Sequence, residues 1–240
     1  MIFDKLITDE EQVIQLVSES IERETGCLIT YFNQHCFNIY SSESDYKNLI
    51  DKNFTTYIDG TGLRIALRLC GYKISSTFNA SDLNEKLFNY FIDKNCSAYL
   101  VGGKIPENII TDENSNKLKP AGYLQGFFKP EEEESIIQKI IDNEPDIIIV
   151  GMGVPRQEQF SIKLANKMKG ARIICVGNFL EFYFGTVKRI PKMFRNSGFE
   201  WIYRLISEPE RLWKRYLLGI PKFFFLLIKK CFSINKQQIQ

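Results

Sequence analysis

The segment that most constrains this chain is residues 145–159, PDIIIVGMGVPRQEQ. Its β-branched run at 147–150 is the pattern of a strand buried on both faces of a parallel sheet. Gly151 and Gly153 follow, where the backbone can turn tightly and approach a ligand, and Pro155 suits the first turn of a helix. A strand, a glycine turn and a helix start often hold an anionic ligand in α/β proteins. The same residues also fit a βα turn that binds nothing.

Strands and helices alternate along most of the chain. Apolar and β-branched runs at residues 27–32, 54–58, 98–101 and 172–176 predict further strands, and segments of helical periodicity separate them. Residues 105–130 are expected to be mainly loop. This alternation predicts an α/β fold with a Rossmann-like, doubly wound, mainly parallel sheet.

Asp59 lies at the carboxyl end of a predicted strand and begins the sequence DGTG, residues 59–62. Because α/β folds present reactive groups at that end, one interpretation is a carboxylate that acts as a general base. The other is an aspartate whose side chain caps the helix that follows. The sequence Gly102-Gly103-Lys104, after the next strand, leaves a similar choice between a phosphate-binding loop and a plain turn.

The sequence lacks the residues that several classes of catalytic or metal site need. The chain has a single histidine, His35, which argues against His-based catalytic triads and multi-histidine metal sites. It has no P-loop sequence, no Gly-x-Gly-x-x-Gly and no Asp-x-Asp. We therefore expect no metal and no cofactor, and a bound diphosphate would have to be neutralised by arginine, lysine and backbone N–H groups.

The cysteines and the first residues bear on the compartment. Six cysteines show no Cys-x-x-Cys spacing, so we expect reduced thiols in a cytosolic protein. Residues 1–11 carry five charges and no apolar core, which argues against a signal peptide. No apolar run reaches the ~18 residues that a membrane span needs.

The charge of the chain is strongly asymmetric. Residues 188–240 hold 12 lysines and arginines against three glutamates, whereas residues 1–187 hold 19 basic and 26 acidic residues. The basic segment also carries tryptophan, tyrosine and phenylalanine at helical spacings. Three interpretations remain open: attachment to an anionic membrane surface, binding of nucleic acid, or a helical pair packed on the body. The sequence predicts a core over residues 1–195 and a basic helical appendage over residues 196–240.

Three ordered motifs resemble those of one known family. Residues 145–159 resemble the family's PDIIIVGxGxPxQE, and residues 177–191 resemble its glycine–acid–glycine–RxP segment. Residues 200–216, EWIYRLISEPERLWKRY, resemble its C-terminal signature EWLYRLxxEPxRxxxRY. The chain is thereby similar to the WecG/TagA/CpsF glycosyltransferases, bacterial enzymes that extend lipid-linked sugars during surface-polysaccharide synthesis.

The resemblance implies an inverting, metal-independent transfer from a UDP-sugar to a sugar on a polyprenyl diphosphate. It further implies a peripheral enzyme on the inner face of the cytoplasmic membrane. We expect no nucleic-acid partner and a possible homo-oligomer, although the sequence does not reveal the oligomeric state. Asp59 takes the position of the family's general base. Glu181 replaces a more usual aspartate and Asn178 a usual glycine, so the donor sugar is left open.

The remaining site residues also follow from the resemblance. Residues expected to reach the diphosphate or the membrane are Arg204, Arg211, Lys214 and Arg215, where the choice between the last two is open. Residues expected to contact donor or acceptor are Thr30, Asn33, Gly60, Gly62, Gly102, Gly103, Gly151, Gly153, Pro155, Gln157, Glu158, Gly177, Glu181 and Arg189.

Two other classes of protein share some features with this sequence. A nucleotide-dependent dehydrogenase is disfavoured by the absent third glycine of the dinucleotide motif. A non-catalytic, membrane-associated adaptor of a polysaccharide assembly complex would keep the basic appendage but would not need Asp59.

Overall fold

The computed structural model describes residues 2–74, 79–112, 116–190 and 200–237, without the side chains of residues 200, 211 and 230–237. Within these residues the strands form one sheet in the order β2-β1-β6-β5-β3-β4, and every pairing is parallel. The predicted α/β, Rossmann-like parallel sheet is therefore confirmed. The strands are β1 (Cys27–Phe32), β2 (Thr55–Ile58), β3 (Ala98–Gly102), β4 (Gly122–Leu124), β5 (Ile147–Gly151) and β6 (Arg172–Cys175).

Helices precede, separate and follow the strands. Short 3-10 helices occupy Ile2–Lys5 and Pro130–Glu132, and a π-helical turn occupies Lys214–Leu218. The α-helices are α1 (Glu10–Glu22), α2 (Gln34–Ser42), α3 (Ser44–Asn53), α4 (Thr61–Leu69), α5 (Ala80–Asp93), α6 (Glu107–Ile110), α7 (Glu133–Asp142), α8 (Arg156–Lys167), α9 (Phe179–Phe184), α10 (Glu200–Ser207), α11 (Pro209–Trp213) and α12 (Gly219–Gln237).

The expectation that residues 105–130 are mainly loop is confirmed for the described residues, but two short elements interrupt the loop. This segment contains the short helix α6 and the edge strand β4, whose Gly122 pairs with Tyr99 of β3. A glycine is needed there because a Cβ at this position would lie 2.2 Å from the Tyr99 ring. Strand β4 therefore depends on its pairing with β3 more than on the β propensity of its own three residues.

The central strand β5 shows how the sheet is buried. Ile147 and Ile149 pack into one hydrophobic cluster with side chains of α1, α4 and α5, while Ile148 and Val150 pack into a second with α7 and α8. All four side chains are fully buried. An uninterrupted apolar strand suits this position because both of its faces meet helices.

Parallel strands end at the same edge of a sheet, and here that edge collects the polar and glycine residues noted in the sequence. Asn33 follows β1, Asp59 follows β2, and Gly177 lies two residues beyond β6. Gly102 and Gly151 end β3 and β5 side by side. The candidate site lies at this carboxyl edge.

The C-terminal segment 200–237 packs against the core through α12. The Asn38 Nδ2 of α2 donates a hydrogen bond to the Gly219 carbonyl over 2.7 Å. Phe223 is 1% exposed and its ring centroid lies 5.4 Å from that of Phe37. Helix α12 therefore packs on the core, and the choice among the three interpretations of the basic segment stays a prediction. The predicted boundary near residue 195 falls outside the described residues.

The cysteines differ from the prediction at one position. Cys27, Cys36, Cys96 and Cys175 are free thiols, but Cys70, just after α4, is disulfide-bonded. The expectation that every cysteine is reduced is therefore wrong for Cys70. Within the described residues, no helix combines the length and the low charge needed to cross a bilayer.

Candidate active site

A cavity of about 340 Å³ lies between the carboxyl edge of the sheet and the C-terminal segment. The core contributes residues that follow β1, β2 and β6, and the C-terminal segment contributes aromatic and basic side chains from α10 to α12. The cavity is thus enclosed by parts of the chain that are far apart in sequence. Lining residues include Asn33, Asp59, Gly60, Gly62 and Asn178 from the core and Trp201, Arg204, Arg215, Tyr216 and Phe223 from the C-terminal segment.

Asp59 is fixed at one side of this cavity. Its backbone N–H donates to the Phe32 carbonyl over 2.9 Å, which ties the end of β2 to β1. Its Oδ1 accepts a hydrogen bond from the backbone N–H of Ala80 over 3.1 Å. Among the described residues, Oδ2 has no hydrogen-bond partner. One carboxylate oxygen is therefore held while the other remains available to a ligand.

The alternative role of Asp59 as a cap of the following helix is not observed. That helix, α4, is preceded by Gly60 at φ +82° and has no side-chain cap. Asp59 instead meets the first residue of α5, twenty-one positions along the chain. Asn33 does act as a cap, because its Oδ1 accepts hydrogen bonds from the backbone N–H groups of His35 and Cys36 at the start of α2.

Two of the glycines serve different purposes. A Cβ on Gly102 would lie 2.3 Å from the Gly151 carbonyl oxygen, so Gly102 is required for β3 and β5 to end side by side. Gly153 has φ +77° and open space around a hypothetical Cβ. Of these two glycines, Gly153 lines a cavity and Gly102 does not.

Thr30, Gln157, Glu158 and Gly177 form a hydrogen-bonded polar cluster in which the first three residues are buried. Thr30 Oγ1 and Gln157 Nε2 both donate to Glu158 Oε1, over 2.7 and 2.8 Å. The Gly177 N–H donates to Gln157 Oε1 over 3.1 Å. The Glu158 Oε2 is buried and has no partner, and burial raises the pKa of Glu158 to about 7. These side chains line neither cavity, so their contact with a substrate stays a prediction.

A second cavity, of about 530 Å³, adjoins the first. Its lining includes the loop before α8, at Gly153, and three cationic side chains, Lys214, Arg215 and Lys222. His35 also lines it, and burial together with the Arg215 charge lowers the pKa of His35 to about 4. The second cavity therefore presents positive charge without needing a protonated histidine.

The side chains of Lys214 and Arg215 have different surroundings. Arg215 lines both cavities, and its Nε is buried without a hydrogen-bond partner. Lys214 is exposed, lines the second cavity alone and lies 5.5 Å from the Trp213 ring. Arg204 lines the first cavity and stacks over Phe182 at 5.5 Å. The side chain of Arg211 lies outside the described residues.

Three other predicted residues line neither of the two cavities. Glu181 Oε1 accepts a hydrogen bond from the Lys104 backbone N–H over 3.3 Å, beside Gly103. Arg189 binds carboxylates and an amide at the start of α5 and lines neither cavity. Pro155 directly precedes α8, where the Val154–Pro155 peptide is cis.

Arg64 was not predicted as a site residue. This residue is 4% exposed, sits on α4 and lines the first cavity, with its Nη2 donating to Thr61 Oγ1 over 3.2 Å. The sequence does indicate that this residue is unusual. Arg64 lies among apolar residues of α4 that are buried, namely Leu63, Ala66 and Leu67. Among the described residues, no three His, Cys, Asp or Glu side chains are grouped as ligands of a metal ion.

Comparison with known proteins points to a single family. The sequence model of the family described as "Glycosyl transferase WecG/TagA/CpsF family" matches residues 3–237. A relative from Bacillus subtilis (strain 168) is 27% identical over 214 residues, which cover 88% of this chain and 82% of the relative. That relative is an N-acetylglucosaminyldiphosphoundecaprenol N-acetyl-beta-D-mannosaminyltransferase.

Proposed function

This chain belongs to the WecG/TagA/CpsF glycosyltransferase family, and we propose that it transfers a sugar from a UDP-sugar to a sugar on a polyprenyl diphosphate. The transfer inverts the anomeric centre, needs no metal, and contributes to a bacterial surface polysaccharide. The observation that carries the proposal is one cavity with a half-satisfied carboxylate on its core side and arginines on its C-terminal side. The Bacillus subtilis relative, whose name includes a diphosphoundecaprenol acceptor, supports the same class of substrate.

The carboxylate supplies the base that an inverting transfer needs. One group must take the proton of the acceptor hydroxyl as that hydroxyl attacks the anomeric carbon. Asp59 Oδ1 is restrained by the Ala80 N–H, and its Oδ2 has no partner among the described residues. Asp59 therefore has a fixed orientation and a free oxygen in the cavity, as general-base catalysis requires.

The arginines stabilise the departing diphosphate. Without a metal ion, the charge that develops on the leaving group has to be met by fixed cations and dipoles. Arg215 lines both cavities and Arg204 lines the first, so both can meet anionic oxygens in or between them. Arg215 is the stronger candidate for binding the diphosphate, because its Nε is buried and has no hydrogen-bond partner.

Exposed apolar side chains on the elements that enclose the cavity, here called the apolar rim, support attachment to a membrane surface. Large apolar side chains are exposed on three elements that contribute to the cavity: Leu69 (78%) on α4, Ile206 (76%) on α10 and Phe225 (69%) on α12. Exposed Lys222 and Lys229 lie on the same helix as Phe225. Apolar side chains flanked by cations are typical of interfacial attachment to anionic lipid. We infer peripheral attachment to the inner face of the cytoplasmic membrane, where a polyprenyl-linked acceptor is held.

The direct test is a transfer assay with the purified protein in detergent and EDTA. A panel of UDP-sugars is combined with a polyprenyl-diphosphate-linked sugar, and UDP release is measured with and without acceptor. UDP release that requires the acceptor and one particular donor would support the proposal and identify the donor. Acceptor-independent release, or transfer that EDTA abolishes, would contradict it. No turnover together with no UDP-sugar binding would favour the adaptor.

A further inference from the structure

We propose that Arg189 is a positioning residue for Asp59, acting through the first turn of α5 instead of contacting a substrate. The inference rests on the proposed role of Asp59 as the base. It assigns Arg189 a place in the site that differs from the substrate contact implied by the sequence resemblance.

The side chain of Arg189 is committed to the start of α5. Its Nη2 donates to Asn79 Oδ1 over 3.2 Å and also to Asp82 Oδ1. Its Nη1 donates to Glu85 Oε2 over 3.2 Å. The arginine side chain is only 16% exposed, so these contacts are shielded in part from water. A planar guanidinium that binds three groups at once fixes their relative positions.

Two of those three groups form the cap of α5. Asn79 is the N-cap residue, and its Oδ1 accepts a hydrogen bond from the Asp82 backbone N–H over 2.9 Å. Its Nδ2 donates to Asp82 Oδ2 over 2.6 Å. Arg189 therefore adds its own contacts to the cap that Asn79 and Asp82 form.

The residue between the capping pair and the base is Ala80. It follows Asn79 directly and begins α5, and its backbone N–H donates to Asp59 Oδ1 over 3.1 Å. Any shift of the α5 cap therefore moves the hydrogen-bond donor that orients the carboxylate. The contacts run from Arg189 to Asn79, through the chain to Ala80, and on to Asp59.

The position of Arg189 separates it from the cavity. Asn79, Ala80 and Ser81 line the first cavity, whereas Arg189 lines neither. The guanidinium therefore binds Asn79, which lines the cavity, without lining the cavity itself. We expect an effect of Arg189 on transfer to pass through this first turn of α5.

The test compares Arg189→Gln with Glu85→Gln. Arg189→Gln removes every guanidinium contact, so we expect kcat to fall about tenfold to a hundredfold through misplacement of the base, with the Kd for the UDP-sugar unchanged. Glu85→Gln weakens only the outer contact, at a side chain that is 57% exposed, and should leave kcat within about twofold. Arg189→Lys retains one charged contact and should recover part of the lost kcat.

A second measurement does not depend on turnover. Amide hydrogen exchange of Ala80, followed by NMR, should accelerate in Arg189→Gln and in Asp59→Ala but not in Glu85→Gln. Unchanged Ala80 exchange in Arg189→Gln would overturn the inference, as would a weaker Kd for the UDP-sugar, which would make Arg189 a ligand. If the wild-type protein transferred no sugar, the proposed function would fail, yet Ala80 exchange would still decide whether Arg189 holds this amide.

Discussion

Thr30 Oγ1 lies 2.7 Å from Glu158 Oε1, in a hydrogen bond that joins β1 to α8 across 128 residues of sequence. Both side chains are completely buried. Glu158 is next to Gln157, whose amide accepts the Gly177 N–H. The loop beyond β6 and the strand β1 are therefore tied to the same helix start.

The first prediction concerns the pH dependence of folding stability. Burial raises the pKa of Glu158 from 4.5 to about 7, against the opposing effect of hydrogen bonds from Gln157 and Thr30. Because the unfolded chain releases this proton near pH 4.5 and the folded chain keeps it until about pH 7, the contribution of Glu158 to the free energy of unfolding falls between those values. The fall should reach about 3 kcal/mol and level off above pH 7, measured by urea unfolding.

Glu158→Gln is the matched variant, because glutamine has nearly the same shape and cannot ionise. The difference in unfolding free energy between variant and wild type should grow by about 3 kcal/mol from pH 4.5 to 8. His35, whose pKa is lowered to about 4, favours the folded state increasingly as pH rises from 4 to 6.5, and this opposite effect is common to both proteins. If the unfolding free energies of the two proteins changed with pH in parallel, the pKa of Glu158 would not be raised by folding, and the prediction would be wrong.

The second prediction concerns Asp59→Asn. The asparagine keeps an Oδ1 that can accept the Ala80 N–H but cannot take a proton from a hydroxyl. Transfer to the lipid-linked acceptor should fall by about 10²- to 10⁴-fold, while the free energy of unfolding changes by less than ~1 kcal/mol. Near-normal transfer in this variant would remove Asp59 from the role of base.

The third prediction separates two neighbouring cations. Arg215→Gln and Lys214→Gln remove the same charge one residue apart, but only Arg215 lines both cavities. Loss of charge-assisted hydrogen bonds should weaken UDP binding about tenfold or more in Arg215→Gln. Lys214→Gln, at an exposed position, should change it less than about twofold. Titration calorimetry measures both, and equal losses would show that UDP responds to general positive charge.

The fourth prediction concerns the apolar rim. Leu69→Glu and Phe225→Glu should each lower association with anionic lipid vesicles about tenfold, because each removes the burial of a large apolar side chain in the interface. Gln138→Glu adds the same charge on α7, whose apolar side chains pack on the other face of the sheet from those of α4. Vesicle flotation compares the three variants. Equal losses of lipid association would mean that the added negative charge, and not the lost apolar side chain, weakens binding.

Much of the fold could be predicted because its signals are local. The run at residues 147–150 is apolar on both faces, and such runs are found in central parallel strands. Asp59 could be placed at a strand end because the β-branched residues before it and the glycines after it are adjacent in sequence. The strand β4 escaped prediction because its three residues, Gly122–Leu124, are too few to show a period.

The parts of the site that could not be predicted depend on contacts between distant segments. Nothing near Ala80 in the sequence indicates that its N–H will meet Asp59. The choice between Lys214 and Arg215 depends on the π-helical turn at Lys214–Leu218, since an i to i+5 turn alters which side chains face the core. Short-range patterns do not reveal such a turn.

The enclosure of the first cavity by residues 201–224 has a consequence for the timing of biosynthesis. A ribosome releases the sheet, with Asp59 and its α5 support, before it releases Trp201, Arg215 or Phe223. Domains generally fold as their residues emerge, so a nascent chain can complete the Rossmann-like body while its substrate chamber still lacks a wall. The apolar rim of α10 and α12 emerges with that same wall. Under the proposed function, competence for catalysis and most of the contact with lipid are therefore acquired together, after the sheet has emerged.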